Sequence, residues 1–331
     1  MCTLLITGSQ VKAILSMKET IEVVEEAFKA KSTGNVQMPP KLYLFYRKYD
    51  GDLRVMPSYL EGLDLTGVKI VNVHPHNPEK FGMPSVMAMI VLIDPKNGLP
   101  YAIMDGTWIT AMRTGAAGGI AVKYLARKDS KTAGCVGSGR QALTQLMALK
   151  EFLNLERVCV WSHDPQSLAT FIEETKYMGI TIKPVNRIED AVKGMDIVTT
   201  TTPVTEPLVK AEWISDGTHI NAIGADAPGK EELEPVILKK AKVVIDDWEQ
   251  AFHSGEINVP LSKGIITQSD IYAELGDVVA NKKEGRTSSE EITIFDSTGL
   301  SIQDISTADL VYRKAKEAKV GTEFELIDMG K

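Results

Sequence analysis

The feature that most constrains the fold is a glycine-rich turn, Gly137-Ser138-Gly139-Arg140-Gln141-Ala142, which directly follows the apolar segment 132–136. The segment predicts a strand and the residues after the turn predict a helix, which is the setting of a GxGxxA dinucleotide-binding motif. In that motif the first glycine forms a tight turn, the second leaves space for a pyrophosphate, and the alanine allows close helix–strand packing. The phosphates bind at the helix N-terminus, where free N–H groups favour anions. We therefore expect a dinucleotide site here.

After residue 131, candidate strands and helices alternate along the chain, which predicts βαβ units and a doubly wound parallel sheet. The predicted strands are 132–136, 158–161, 180–184, 196–201, 219–223, 243–246 and 292–295. The predicted helices between them are 141–153, 165–177, 188–192 and 231–240. The fold class of this part is α/β.

The first 130 residues have a different texture. Apolar residues recur at helical spacing over 8–32, which predicts two short helices, the second capped by Ser16. Residues 41–105 contain about five short β-rich segments separated by turn signals, which predicts a meander. Helices are predicted over 107–125 and, at the end of the chain, over 302–319.

Composition excludes several function classes. The chain has 331 residues and a net charge of −7 with mixed signs, so neither nucleic acid nor a membrane surface is expected as a partner. No apolar run reaches the length of a membrane span and the first residues do not resemble a signal peptide, so we expect a cytoplasmic protein. Three cysteines without CxxC spacing and five histidines without an HExxH motif predict reduced thiols and no metal site.

Asp164 is the candidate residue for choosing between NAD and NADP. It lies 25 residues beyond Gly139, near the distance at which a carboxylate binds the ribose 2′-hydroxyl, which would select NAD. Ser162 or His163 would equally face a 2′-phosphate, so NADP stays open. The alternative role for Asp164 is the N-cap of the helix that begins at Pro165.

Four cations lie within or beside apolar, β-rich segments: Lys41, Arg54, Lys69 and Arg113. A charge in such a segment is costly unless it is paired. The partner of each is either a structural carboxylate or an anionic substrate. If the four converge on one site, they predict binding of a small carboxylate.

Asp226 follows a predicted buried strand and lies at the carboxyl edge of the sheet, where open α/β sheets bind ligands. A carboxylate there can exchange a proton with an imine or with attacking water. The alternative is a turn residue before Pro228-Gly229.

Nearly the whole chain resembles the ornithine cyclodeaminase/mu-crystallin family. The segments that carry the resemblance are MPPKLYL, LRVMPSYL, GVKIVNVHPHNP, MDGTWITAMRTGAAGG, VGSGRQA, INAIGADAPGKEEL and FDSTGLSIQD. Within the family, GADAPGKEEL and FDSTGLSIQD are most similar to the archaeal alanine dehydrogenases.

The resemblance implies a Rossmann domain, 116–299, inserted into an α+β substrate and dimerisation domain, 1–115 plus 300–331, and a homodimer. It implies that Arg54, Lys69 and Arg113 bind the substrate carboxylate with Lys41 close by, and that Asp226 is the catalytic aspartate. We expect Lys69 to serve Asp226 as a proton relay. The implied cofactor contacts are Thr114, Gly137, Ser138, Gly139, Arg140, Gln141, Thr200, Thr201 and Ser297, with Asp164 added from the motif.

The implied activity is an NAD(P)-dependent oxidation of an amino acid, first L-alanine to pyruvate and ammonia, and its reverse. The alternatives are ornithine cyclodeamination to proline, reduction of a cyclic ketimine or imino acid, and non-enzymatic ligand binding as in crystallins. Two departures bear on the choice. His163 stands where many relatives carry an arginine for NADP, and Ala227 stands where ornithine cyclodeaminases carry a cysteine, which argues against ornithine.

Overall fold

The computed structural model describes residues 2–328 of the chain. It divides into two compact units, Met1–Arg113 with Leu300–Lys331, and Thr114–Gly299. The first boundary lies two residues before the predicted one, and the second lies at the predicted position.

The first unit holds a mixed sheet and four helices of its own. Its strands are β1 (Thr3–Ile6), β2 (Val36–Gln37), β3 (Leu42–Tyr46), β4 (Gly51–Leu60), β5 (Leu65–Val73), β6 (Val86–Ile93), β7 (Pro100–Asp105) and, from the end of the chain, β16 (Thr322–Phe324). Its helices are α1 (Gly8–Ile14), α2 (Met17–Ser32), α3 (Asn77–Phe81) and α12 (Ser301–Ala318), while α4 (Thr107–Leu125) crosses the unit boundary. The strand order is β16-β1-β7-β6-β5-β4-β2, and β3 pairs with β4.

The antiparallel run from β3 to β7 is the expected meander, and α4 has the expected bounds. The side chain of Ser16 accepts from the amide of Glu19 and caps α2 as expected. Three strands were not expected, β1, β2 and β16, because segments of two to four residues are too short to show alternation. Helix α3 lies in a segment interpreted as a turn.

One face of this sheet is closed by α12, which packs on β4, β5 and β6. Strand β4 alternates accordingly: Arg54, Met56, Ser58 and Leu60 are buried and the residues between them are half-buried. Gly67 on β5 lets the helix approach, because an added Cβ would lie 2.4 Å from the carbonyl oxygen of Val91 and 2.9 Å from Cδ1 of Ile305. The buried face therefore carries Arg54 and Lys69 toward α12.

The second unit is built on eight parallel strands. They are β8 (Thr132–Val136), β9 (Arg157–Trp161), β10 (Thr181–Pro184), β11 (Ile197–Thr200), β12 (His219–Ala222), β13 (Lys242–Ile245), β14 (Ile271–Glu274) and β15 (Thr293–Asp296). The helices are α5 (Arg140–Phe152), α6 (Pro165–Thr175), α7 (Ile188–Val192), α8 (Pro235–Lys240), α9 (Trp248–Ser254), α10 (Asn258–Ser262) and α11 (Leu275–Val279). The order β10-β9-β8-β11-β12-β15-β13-β14 and an apolar core on each face confirm the α/β doubly wound class.

The predicted helix over 231–240 is wrong at its start, since α8 begins at Pro235. The preceding residues run extended instead, and Leu233 forms an isolated parallel bridge with Val209. The buried carboxylate of Glu256 accepts hydrogen bonds from the N–H groups of Glu232 and Leu233. Strand β14 and helices α9 to α11 were not predicted, since each has seven residues or fewer.

Within residues 2–328, no helix has the length and apolar composition needed to cross a membrane. In the same range, no three histidine, cysteine or acidic side chains are grouped so as to hold a metal ion. All three cysteines are unpaired thiols, Cys2 exposed and the other two buried.

Candidate functional site

In the first unit, Lys69 and Arg113 share one carboxylate. Nζ of Lys69 on β5 lies 2.6 Å from Oδ2 of Asp304, and Nε of Arg113 on α4 donates to Oδ1 of the same residue at 2.8 Å. The Asp304 side chain on α12 is fully buried, and that of Lys69 is 1% exposed. Two of the four predicted cations are thus brought together by a residue that the sequence analysis did not select.

Gln303 completes the support of the guanidinium. Its Oε1 accepts from Nη1 of Arg113 at 3.0 Å and from the amide of Leu300 at 3.2 Å, and the side chain is buried. Asp304 and Gln303 use two of the five N–H donors of Arg113, so its plane is fixed while donors are left for a planar anion.

The charges around Asp304 do not balance, because two cations face one carboxylate. The pKa of Lys69 is lowered to about 7, first by burial and then by the charge of Arg113, while Asp304 opposes both. Lys41 also lowers the pKa of Lys69 through its charge, which places it within electrostatic reach. The cluster therefore favours a bound anion and holds an amine that can lose or regain its proton near neutral pH.

Arg54 has a separate partner. Its Nε donates to Oδ1 of Asp52 at 2.9 Å and its Nη2 to Oδ2 at 3.1 Å, and the guanidinium lies 5.3 Å from the ring centroid of Tyr43. The strand register pairs Lys69 with Met56, so Arg54 lies one diagonal step away from Lys69 on the same buried face. Arg54 thus borders the cluster with a carboxylate of its own.

The sequence did hold a signal for Asp304 and Gln303. Both belong to the segment FDSTGLSIQD, where two polar residues interrupt an apolar helix face between Ile302 and Ile305. Because buried cations need a counter-charge, an acidic residue on such an apolar helix face is a candidate for the carboxylate that pairs with them.

In the second unit, the two glycines of the predicted motif differ in what they allow. Gly137 has φ +110° and an added Cβ would lie 2.5 Å from Oγ1 of Thr201, so the fold itself requires glycine there. Gly139, the N-cap of α5, has φ −76° and no atom within 4 Å of an added Cβ. The fold leaves open space at Gly139, beside the helix N-terminus, where the motif places a pyrophosphate.

The other predicted cofactor residues follow the carboxyl ends of neighbouring strands or lie on α4 and α5. Ser297, directly after β15, is buried and its Oγ has no hydrogen-bond partner among the described residues, which is the state expected of a group that serves a ligand. Ser138 and Thr200 are buried, Thr201 and Gln141 are half-buried, Arg140 is exposed, and the carbonyl of Thr114 accepts from Gln145 at 2.9 Å. The open space at Gly139 and the orphan hydroxyl of Ser297 fit a bound dinucleotide.

Asp164 is the N-cap of α6 and accepts from the amide of Gln166 at 2.9 Å through Oδ1. The capping role weighed in the sequence analysis is therefore real. Asp164 is exposed and follows the end of β9, so its side chain is accessible to a ribose.

Asp226 lies in the loop after β12, and its Oδ1 accepts from Nζ of Lys230 at 2.6 Å. The side chain is 35% exposed. Pro228-Gly229 does form a turn, with Gly229 at φ +81°, and the carboxylate of Asp226 pairs with Lys230 just after it.

Comparison with known proteins gives one consistent result. Residues 1–319 match the model of the ornithine cyclodeaminase/mu-crystallin family. The chain belongs to this family. It is 50% identical over 323 residues to the alanine dehydrogenase of Archaeoglobus fulgidus, with 98% of each chain covered.

Two solved members of the family are similar over the whole fold. An archaeal alanine dehydrogenase dimer with bound NAD is 49% identical with a TM-score of 0.94, covering 99% of this chain and all of that one. The Δ1-pyrroline-2-carboxylate reductase of Thermococcus litoralis, solved with NADH and L-proline, is 45% identical with a TM-score of 0.94, covering 97% and 99%. One of these relatives is named as an amino-acid dehydrogenase and the other as a cyclic-imine reductase.

Proposed function

We propose that this protein is an NAD-dependent amino-acid oxidoreductase whose first substrate is L-alanine. The reaction is L-alanine, NAD⁺ and water to pyruvate, ammonium, NADH and a proton, and its reverse. The observation that carries the proposal is the excess positive charge around Asp304, where two buried cations share one carboxylate. The 50% identity to an alanine dehydrogenase supports this choice of substrate.

The substrate carboxylate is held by Arg113 and Lys69, with Arg54 and Lys41 assisting. Arg113 is oriented by Asp304 and Gln303 and offers its remaining donors to the two oxygens of a carboxylate. Lys69 supplies a charge that depends on pH, because its pKa lies at about 7. A bound carboxylate raises this pKa by adding a negative neighbour, so binding and protonation of Lys69 favour each other.

NAD, when bound, accepts the hydride from the substrate α-carbon. The chain supplies the proton chemistry that follows, since water that adds to the resulting imine must lose a proton. Asp226 is the proposed base, with Lys69 as the proposed relay. The Asp226 carboxylate is held in the loop after β12 by Nζ of Lys230, which donates to Oδ1 at 2.6 Å.

Cofactor binding is assigned to Gly137 through Gln141 with Thr114, Thr200, Thr201 and Ser297, and the ribose to Asp164. Gly139→Ala tests this assignment, because the protein itself has room for the methyl group and only a pyrophosphate would meet it. We expect the same melting temperature as wild type and a Kd for NADH raised by ~10-fold or more, measured by calorimetry. Gly62→Ala is the control, since its Cβ also meets only an ordinary contact at 3.7 Å, and NADH affinity should not change.

Reduction of a cyclic imine is the second candidate, favoured by the similarity to the Thermococcus litoralis reductase. The deciding experiment follows nicotinamide absorbance with L-alanine, with pyruvate plus ammonium, with Δ1-pyrroline-2-carboxylate and with L-ornithine, each with NAD(H) and NADP(H). Highest kcat/KM for alanine and pyruvate supports the proposal. Highest kcat/KM for the cyclic imine establishes the second candidate, and proline from ornithine without net NADH would establish a cyclodeaminase.

A homodimer is also proposed, from the face of the first unit's sheet opposite α12. The half-buried or exposed residues of this face are largely apolar and paired across the strands: Leu42, Leu44, Leu53, Val55, Pro57, Val68, Ile70, Met89 and Val91. A contiguous apolar face of this kind is typical of a subunit interface. Light scattering should give twice the chain mass, and Ile70→Glu should shift it to the monomer. A cytoplasmic location stays a prediction.

A further inference from the structure

Glu232 connects two loops at the carboxyl edge of the second unit's sheet. Its Oε1 accepts from the amide and from the hydroxyl of Thr202, both at 2.6 Å, and its Oε2 accepts from the amide of Gly224 at 2.9 Å. Thr202 follows β11 and Gly224 follows β12. One side chain thus joins the loop after Thr200 and Thr201 to the loop that carries Asp226.

The two loops lie in close contact at this point. A Cβ added to Gly224 would lie 2.2 Å from the carbonyl oxygen of Thr202 and 2.6 Å from Oε2 of Glu232, so any larger residue would separate them. From Gly224 the chain turns at once, since the amide of Asp226 donates to the carbonyl of Gly224 at 3.0 Å. The position of Gly224 therefore determines where the backbone of Asp226 lies.

Glu232 is itself held by a succession of buried carboxylates. Glu256 accepts from the amides of Glu232 and Leu233, and Asp296 accepts from the amides of Glu256 and Ile257 at 2.9 and 3.2 Å. Each acid in this carboxylate series, Glu232, Glu256 and Asp296, is fully buried. Within residues 2–328, no lysine, arginine or histidine forms a salt bridge with any of the three.

The hydrogen bonds that these carboxylates accept therefore come from backbone amides and from the hydroxyl of Thr202. A buried acid without a cation is costly, and an apolar residue in place of Glu232 would avoid that cost but leave the amides of Thr202 and Gly224 without partners. This arrangement is explained if a fixed distance between the two loops is required for function, and if this requirement outweighs the free-energy cost of burying the Glu232 carboxylate.

We propose that Glu232 is a positioning residue, which holds the turn from Gly224 to Asp226 at a fixed distance from Thr200–Thr202 and so sets the place from which Asp226 acts. The inference rests on the proposed function, in which Asp226 is the base. It adds a residue whose proposed role is to act through Asp226.

Glu232→Gln tests the inference, because it keeps the shape and replaces one accepting oxygen by an NH₂ group that faces an amide. We expect kcat to fall by ~10-fold with the KM of the amino acid and the Kd of NADH nearly unchanged. Amide hydrogen exchange should become faster in peptides that cover 200–204 and 222–228. Glu231→Gln is the matched control, since the neighbouring side chain is also buried but its Oε1 accepts no hydrogen bond, and neither readout should change.

A double-mutant cycle with Asp226→Asn separates positioning from a general loss of structure. If Glu232 acts through Asp226, the second substitution causes little further loss in the Asp226→Asn background. An equal ~10-fold loss in both backgrounds, or exchange that does not change, would overturn the inference. Thr202→Val removes only the hydroxyl bond and serves as the milder variant if Glu232→Gln does not fold, with a ~3-fold loss of kcat expected on the same pattern.

The two proposals fail in different ways. A wild-type protein that turns over no substrate of the panel contradicts the proposed function, while the exchange measurement still decides whether Glu232 holds the two loops. Normal kcat in Asp226→Asn removes the base, and then a loss in Glu232→Gln would contradict action through Asp226.

Discussion

Both units bury acidic side chains, and they compensate them in opposite ways. Around Asp304 the partners are charges, with Lys69 and Arg113 on one carboxylate. In the carboxylate series the partners are backbone amides, and each acid accepts from main-chain N–H groups. Counter-charges leave an excess that a ligand can complete, whereas amides use the carboxylate to fix loops. The cluster around Asp304 is therefore suited to binding a ligand, and the carboxylate series is suited to holding loops in place.

Burial is the first cause of the pKa shifts in both places and moves each group toward its neutral form. It lowers the pKa of Lys69 to about 7 and raises that of Asp296 to about 8. In the first case the charge of Arg113 adds to the effect, and in the second the charges of Asp246 and Glu232 do so, while backbone hydrogen bonds oppose them. The two regions therefore titrate near neutral pH with opposite consequences for stability.

The largest effect is expected from Asp304→Asn, which removes the carboxylate that Lys69 and Arg113 share. The protein should lose ~3 kcal/mol of unfolding free energy, because two buried cations are left without a counter-charge. The misplaced guanidinium should lower kcat/KM by roughly 100-fold. Urea denaturation and steady-state kinetics measure the two effects.

Asp309→Asn on the same helix is the control for Asp304→Asn. Asp309 is 14% exposed and pairs with the exposed side chain of Arg313, so its loss should cost less than ~1 kcal/mol and leave kcat/KM nearly unchanged. Similar results for the two variants would show that the shared carboxylate is not special, and the contrast between the two regions would fail.

Arg113→Lys is expected to have the next largest effect. A lysine keeps the charge but cannot reach Asp304, Gln303 and a substrate carboxylate with one planar group. We expect kcat/KM to fall by ~10-fold or more, equivalent to ~1.4 kcal/mol, with NADH affinity unchanged. Arg313→Lys on the exposed face is the control, and unchanged substrate kinetics in Arg113→Lys would remove this residue from the site.

Much of the fold follows from the sequence because its longer elements have clear periodicity. The bounds of α4 and of the strand and helix on either side of the glycine-rich turn were predicted closely, and the α/β class with them. The short elements from α9 to α11 were not, since a helix of seven residues or fewer has too few turns to show a period.

The partners of the functional residues were harder to predict than the residues themselves. Asp304 lies 191 positions from Arg113, and no local pattern connects them. Glu232 was interpreted as part of a helix because Glu, Leu and Lys favour helices, but the amide acceptor Glu256 draws its backbone into an extended connection. Tertiary hydrogen bonds thus overrode local propensity where the loops must be held.

Asp296→Asn is expected to change the pH dependence of stability. With a pKa of about 8 in the folded protein and 3.8 as the ordinary value, Asp296 keeps a proton that the unfolded chain releases. The free energy of unfolding therefore falls as pH rises from about 4 to about 8. Asparagine does not titrate, so the fall between pH 5 and pH 8 should be smaller in the variant, measured by urea denaturation.

The control for Asp296→Asn is Asp270→Asn, because the pKa of Asp270 is lowered by hydrogen bonds from Thr267 and its contribution changes only below its ordinary value of 3.8. Between pH 5 and pH 8 this variant should follow wild type. Parallel curves for wild type and Asp296→Asn would show that the carboxylate series is fully ionised across this range.

The smallest effect is a change of at most one proton, at Lys69. With a pKa of about 7, most of the Lys69 amines are neutral at pH 8 and most are charged at pH 6. A bound carboxylate raises this pKa. Binding should therefore be accompanied by the uptake of at most about one proton by the protein at pH 8, and of far less at pH 6. Calorimetry of pyruvate binding to the NADH-loaded protein without ammonium, in buffers of different ionisation enthalpy, measures the uptake.

In Lys69→Arg the group stays charged and the uptake at pH 8 should vanish. Uptake that is the same at both pH values, or that survives in Lys69→Arg, would mean that the proton comes from another group and that the excess charge around Asp304 is constant.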